Sequence, residues 1–120
     1  CIISLLDIHA HDKPFKNYVV YNMAKAAHRM MVQSLALDMA PEVRVNGVAP
    51  GVNILPEADS DQALDPQQQK SIINSIPMQR IGRPEEIAHS VLYLAHASYV
   101  TGEIITVDGG RSLTLAGGHI

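Results

Sequence analysis

The sequence is poor in cysteine, in aromatic residues and in charge. Among 120 residues there is one cysteine, Cys1, no tryptophan, four tyrosines and one phenylalanine. A single cysteine cannot close an internal disulfide, which suits a reducing compartment. It also excludes every cysteine-rich zinc pattern. Nine basic and twelve acidic side chains leave a formal net charge of -3, which gives no electrostatic footprint for nucleic acid. No uninterrupted apolar run reaches the roughly 18 residues of a membrane helix. The best segment, Ile87 to Gly102, is broken by His89, Ser90, His96, Ser98 and Thr101. No nucleic-acid or membrane partner is therefore expected. The remainder, 47% hydrophobic and 18% charged, is the composition of a globular protein.

The chain opens on Cys-Ile-Ile-Ser-Leu-Leu, with no initiator Met, signal peptide or helix cap. This reads as a start inside a buried strand, so the chain is expected to be part of a larger domain. Cys1 to Ile8 is a strand apolar on both alternations, as one covered on both faces would be. His9 to Asn17 is loop. From Tyr18 or Tyr21 to about Ala40, Met23, Ala26, Ala27, Met30, Met31, Leu35 and Leu37 recur at mostly helical spacing, with Ser34 on the same face. Pro41 stops that helix. Val43 to Val48 is a second strand, running into the turn Ala49-Pro50-Gly51. An irregular stretch follows, with the acids Glu57, Asp59 and Asp61. Asp65-Pro66 starts a short helix to about Ser75. Pro84-Glu85-Glu86 starts another, with Ile87, Val91, Leu92, Leu94 and Ala95 as its stripe. Glu103 to Val107 is the last strand, closed by Asp108-Gly109-Gly110, and the glycine-rich tail from Ala116 to Ile120 is expected to be mobile. Strands separated by helices predict an α/β fold with a parallel sheet.

Tyr21 and Lys25 lie four apart at the start of the long helix and share a face. An ammonium near a phenol lowers its pKa from about 10. Such a tyrosine can give a proton to a carbonyl or imine as hydride arrives. An isolated Tyr-x-x-x-Lys is commonly a solvated surface pair, but the surroundings add weight. Asp7 and Pro50-Gly51 both end strands, where ligands sit in open parallel sheets. Asp7 also has an ordinary reading as a turn residue.

Four segments together resemble the short-chain dehydrogenase/reductases. They are Tyr21-Asn-Met-Ala-Lys25, Val43-Arg-Val-Asn-Gly-Val-Ala-Pro-Gly51, Arg80-Ile-Gly-Arg-Pro-Glu-Glu-Ile-Ala88, and Tyr99-Val-Thr-Gly-Glu-Ile-Ile-Thr-Val-Asp-Gly-Gly110. The resemblance implies a Rossmann-type, doubly wound parallel sheet, of which residues 1–120 are the C-terminal half. It implies Tyr21 as catalytic acid, and Lys25 as the residue that binds the nicotinamide ribose and lowers the Tyr21 pKa. The backbone of Pro50, Gly51 and Val52 would meet the nicotinamide carboxamide, and Asn53 the cofactor phosphates. The glycine-rich phosphate turn, the residues that choose NADP over NAD and a catalytic Asn belong to the family's preceding half. The long helix and the helix from Pro84 carry more apolar surface than one sheet face needs, so assembly is expected, and family relatives imply a homotetramer; the low charge and single cysteine are read as cytoplasmic.

The family usually has Ser where Asp7 stands. Asp at that place, the run Tyr18-Val-Val-Tyr21-Asn-Met-Ala-Lys25 and the ending Asp-Gly-Gly-Arg-Ser-Leu-Thr resemble pteridine reductases. That resemblance implies NADPH as cofactor and a dihydropteridine, of the dihydrobiopterin or dihydrofolate type, as substrate. Asp7 would then join Tyr21 and Lys25 as a catalytic residue, although its charge would oppose Lys25 and raise the Tyr21 pKa. Competing readings are a reductase of another carbonyl, such as a 3-oxoacyl thioester, and a non-catalytic oligomerising relative. A basic residue near the C-terminus of some pteridine reductases has no counterpart here, since Leu115 holds its place. The alternation of Asp7, His9 and His11 is read as polar loop, and no metal site is expected. The helical His28, His89 and His96 are expected to serve packing or surface, and Met23, Met30, Met31 and Met39 core or subunit interface. Arg111 is expected in a salt bridge or at the surface, with contact to substrate or a neighbouring subunit as the alternative, and Glu57 in a substrate lid.

Overall fold

The structure is a computed structural model that describes residues 1–115. Three parallel strands, β1 (Ile2–Leu5), β2 (Val45–Pro50) and β3 (Ile104–Val107), lie in the order β1-β2-β3. Helix α1 (Val19–Met39) joins the first two strands. Helices α2 (Pro66–Asn74) and α3 (Pro84–His96) join the last two, and the short α4 (Arg111–Thr114) follows. None of these helices is long and apolar enough to cross a membrane. The expected tail motion falls on residues outside those described.

The central strand β2 organises the packing. Its Val45 and Ala49 meet Val32 and Ala36 of α1, with Leu6 and Ile8 completing the cluster. Alternate residues point to the other face, where α3 packs on the sheet. There Asn46 is fully buried, and both ends of its amide are bonded. Its Nδ2 donates to the Val100 carbonyl at 2.9 Å and its Oδ1 accepts from the Glu103 N–H at 2.9 Å. Arg44 donates to the carbonyls of Leu94, Ala95 and Val100 at the end of α3, where a cation is favoured. Thus the Val-Arg-Val-Asn run ties β2 to the α3–β3 connection.

Four expectations need correction. The first strand ends at Leu5 rather than Ile8, because Asp7 already turns the chain: its carbonyl accepts from the Ala10 N–H. Ile2 and Leu5 are exposed, so β1 is not covered on both faces among the described residues. The α1 stripe is the third. The face on the sheet is Lys25, Arg29, Val32, Leu35, Ala36 and Met39, whereas Met23, Met30, Met31 and Leu37 are exposed. The helix is apolar on two faces, and helical spacing alone does not say which one meets the sheet. The second strand runs to Pro50, two residues past Val48.

Local signals at the helix starts hold. Asp65 caps α2 by accepting from the Gln68 N–H at 2.7 Å, while the Gln68 side chain accepts from the Asp65 N–H at 2.9 Å. At α3 the cap is charged: Glu86 accepts from the Arg83 N–H and makes a two-pronged pair with Arg80 at 2.8 and 2.9 Å. The Arg80 side chain and the Arg83 N–H hold the Glu86 carboxyl down at about 2.

Candidate active site

Asp7 stands just beyond the carboxyl end of β1, and Tyr21 in the first turn of α1. The Tyr21 hydroxyl donates to Asp7 Oδ2 at 2.5 Å. The second carboxylate oxygen, Oδ1, accepts from the His9 N–H at 2.8 Å. Asp7 is therefore both a turn residue and a partner of Tyr21, one oxygen for each. Burial, then the hydrogen bond to Asp7 and its negative charge, push the Tyr21 hydroxyl up to about 12. This overturns the expectation that Lys25 lowers it. The Lys25 ammonium sits 5.9 Å from the Tyr21 ring centre and donates to the Leu5 carbonyl at 3.4 Å. Burial already raises the phenol, and Asp7, in direct contact where Lys25 is not, adds to that rise.

Pro50, Gly51, Val52 and Asn53 line a cavity of about 480 Å³ together with Asp7. The Pro50 carbonyl accepts from Ile8, the Gly51 N–H donates to Val107 and the Val52 carbonyl accepts from Gly82. These bonds fix the turn but use neither the Gly51 carbonyl nor the Val52 N–H. Gly51 is required by close approach, since a Cβ there would lie 2.7 Å from the Asp108 Cβ. Asn53 Nδ2 reaches the Arg83 carbonyl at 3.5 Å, and its Oδ1 is buried without a partner among the described residues.

The structure adds residues that the motif reading passed over. His9, Phe15 and Tyr18 form a stack, with ring centres 4.6 and 4.4 Å apart, and Tyr18 meets Tyr21 edge-on at 6.2 Å. His9 Nδ1 bonds the Lys13 carbonyl at 2.8 Å, which fixes the loop. His9 and Phe15 reach the cavity wall. The signal for this was present: a chain poor in aromatics places Phe15, Tyr18 and Tyr21 at a spacing of three.

Arg111 also lines the cavity and is half-buried, rather than being in a salt bridge or fully at the surface. Its Nε donates to Ser75 Oγ at 3.0 Å. Burial draws the Arg111 guanidinium below its ordinary range, against the pull of Asp7 and Asp108. Burial also raises Asp108, but bonds from Ser112 and from the Gly110 N–H outweigh it and leave that carboxyl low. Leu115 packs against the core cluster instead of facing the site.

A strand-end turn beside a helix-borne Tyr-x-x-x-Lys is an oxidoreductase arrangement, and comparison with known proteins agrees. The model of a family described as enoyl-(acyl carrier protein) reductase matches residues 2–112. Glucose 1-dehydrogenase 2 of Bacillus subtilis is 41% identical over 115 residues, covering 93% of this chain and 43% of its own length. The 3beta-hydroxysteroid dehydrogenase 1 of Eggerthella lenta is 36% identical, with the same coverage of 93% and 43%. A solved short-chain dehydrogenase/reductase of Brucella melitensis, described as a glucose/ribitol dehydrogenase, superposes with a TM-score of 0.76 at 31% identity, over 92% of this chain and 42% of its own. The chain belongs to the short-chain dehydrogenase/reductase family and carries part of its Rossmann-type fold. It spans about 43% of the length of the two curated relatives.

Proposed function

We propose that this chain is the C-terminal half of a single Rossmann-type domain, and that the whole protein reduces a dihydropteridine with NADPH, using Tyr21 as proton donor. The observation that carries the reading is the Asp7 carboxylate at 2.5 Å from the Tyr21 hydroxyl, where relatives usually have Ser. A bound reduced nicotinamide supplies the hydride. With its hydroxyl held up at about 12, Tyr21 stays protonated at neutral pH and gives up its proton less readily than a free phenol, so the transfer draws on the basicity that hydride delivery confers on the ring nitrogen. Asp7 retains lone pairs for a substrate N–H, a contact that suits a pteridine better than a simple ketone.

The residues present fit such a cofactor. Lys25 has no carboxylate partner among the described residues and can donate to ribose hydroxyls. The Gly51 carbonyl and Val52 N–H offer an acceptor and a donor to a carboxamide. The orphaned Asn53 Oδ1 is an acceptor and calls for a hydroxyl or N–H donor, which a cofactor phosphate does not offer, so the expected phosphate contact is not supported at this atom. Val20, Met23, Met30 and Leu37 form a second apolar stripe on α1, which supports assembly, and a homotetramer in the cytoplasm is part of the proposal.

The relatives' names favour a second reading, reduction or oxidation at an ordinary carbonyl or alcohol carbon. A substrate panel on the full-length protein decides between them. Dihydrobiopterin and dihydrofolate should turn over with NADPH, and Asp7→Ser should remove most of that activity. Undiminished pteridine turnover by Asp7→Ser removes the basis for preferring the pteridine.

A further inference from the structure

Arg111 has no ion-pair partner among the described residues and lines the cavity that Asp7 borders, which Tyr21 and Lys25 do not line. The nearest acids are already engaged: Asp7 accepts from Tyr21 and His9, and Asp108 accepts from Gly110 and Ser112. No carboxylate lies within salt-bridge distance of Arg111 among the described residues. Its Nε is tethered to Ser75 Oγ, and the Thr114 hydroxyl donates to the Ser75 carbonyl, so α4 and the end of α2 hold each other. The tether leaves the two terminal nitrogens, a pair that can grip a carboxylate in fork geometry, without a protein acceptor among the described residues. A half-buried guanidinium held at one atom and open at the other two is prepared for an acidic ligand.

We propose that Arg111 is a specificity-determining residue that binds a carboxylate carried by the substrate. The inference rests on the dihydropteridine reading above and narrows it to a substrate with an acidic tail, of the dihydrofolate type. Asp7 and Tyr21 handle the reacting ring, and Arg111 holds the charged end. The Asp7 and Arg111 side chains bordering one cavity thus divide ring recognition from tail recognition.

The experiment compares Arg111→Gln with wild type in the full-length protein, using dihydrofolate, which carries carboxylates, and dihydrobiopterin, which carries none. Loss of one charge-assisted contact is expected to raise KM for dihydrofolate about tenfold. KM for dihydrobiopterin and kcat for both should stay unchanged. Arg111→Lys should recover part of the loss. Should Arg111→Gln fail to fold, the wild type serves: added salt should raise KM for dihydrofolate and leave dihydrobiopterin unaffected. An equal change for both substrates, a change confined to the KM for NADPH, or no change in either test overturns the assignment. A wild type that reduces neither pteridine overturns the functional reading itself, and this inference with it.

Discussion

At Asp7 one carboxylate serves a turn and a tyrosine at once, and the tyrosine's acidity follows from that sharing. Tyr21 is held protonated because its phenolate would be partly desolvated and would stand beside a negative charge. Replacing Asp7 with Asn removes the charge while keeping an acceptor, so the Tyr21 pKa should fall from about 12. Tyrosine ring resonances followed through an alkaline NMR titration would report it, and an unchanged midpoint would show that burial alone sets the value. Tyr21→Phe should lower kcat for reduction by roughly 10²–10⁴, the ordinary worth of a positioned general acid. Activity within tenfold of wild type would assign the proton to another donor. Tyr21 and Lys25 were legible from their spacing. The sign of the Tyr21 shift was not, because it depends on which charge lies nearer to the phenol.

Among the elements, α3 and α1 show how far local pattern reaches. The start of α3 is written into Arg80-Ile-Gly-Arg-Pro-Glu-Glu, because a Pro at the first turn and an acid at the third position act locally. Its pH dependence follows. The Glu86 carboxyl is held at about 2 against an ordinary 4.5. A depressed acid gives stability that is fully present above the unfolded pKa and is lost as pH falls through the folded one. Wild type should therefore lose stability between about pH 4.5 and pH 2 through this group. Glu86→Gln should remove that component, a difference measured by urea unfolding at a series of acidic pH values. Identical acid profiles would mean that the exposed pair contributes nothing, as many surface bridges do. In α1 the pattern failed, since apolar residues occupy two faces and the face on the sheet carries Lys25 and Arg29.

That second face belongs to the scale of the whole molecule. Met23, Met30 and Leu37 recur every seven residues and are 66%, 60% and 81% exposed. Burying such a row requires a partner surface with matching apolar spacing. In the full-length protein, Met30→Glu together with Leu37→Glu should reduce the assembly state measured by analytical ultracentrifugation. An assembly of wild-type mass would show that the row is covered within one subunit.

The sequence alone determined what acts over a few residues. Caps, proline stops, the parallel β-α-β order and the Tyr-x-x-x-Lys pair all follow from spacing and backbone chemistry. The tertiary structure decided what depends on distance through space. It joined Asp7 to Tyr21 across a loop, laid Phe15 and His9 along the cavity, turned the methionine row outward and left Arg111 without an ion-pair partner among the described residues. Electrostatic and packing energies fall off with separation in space, and no periodicity along a chain encodes that separation.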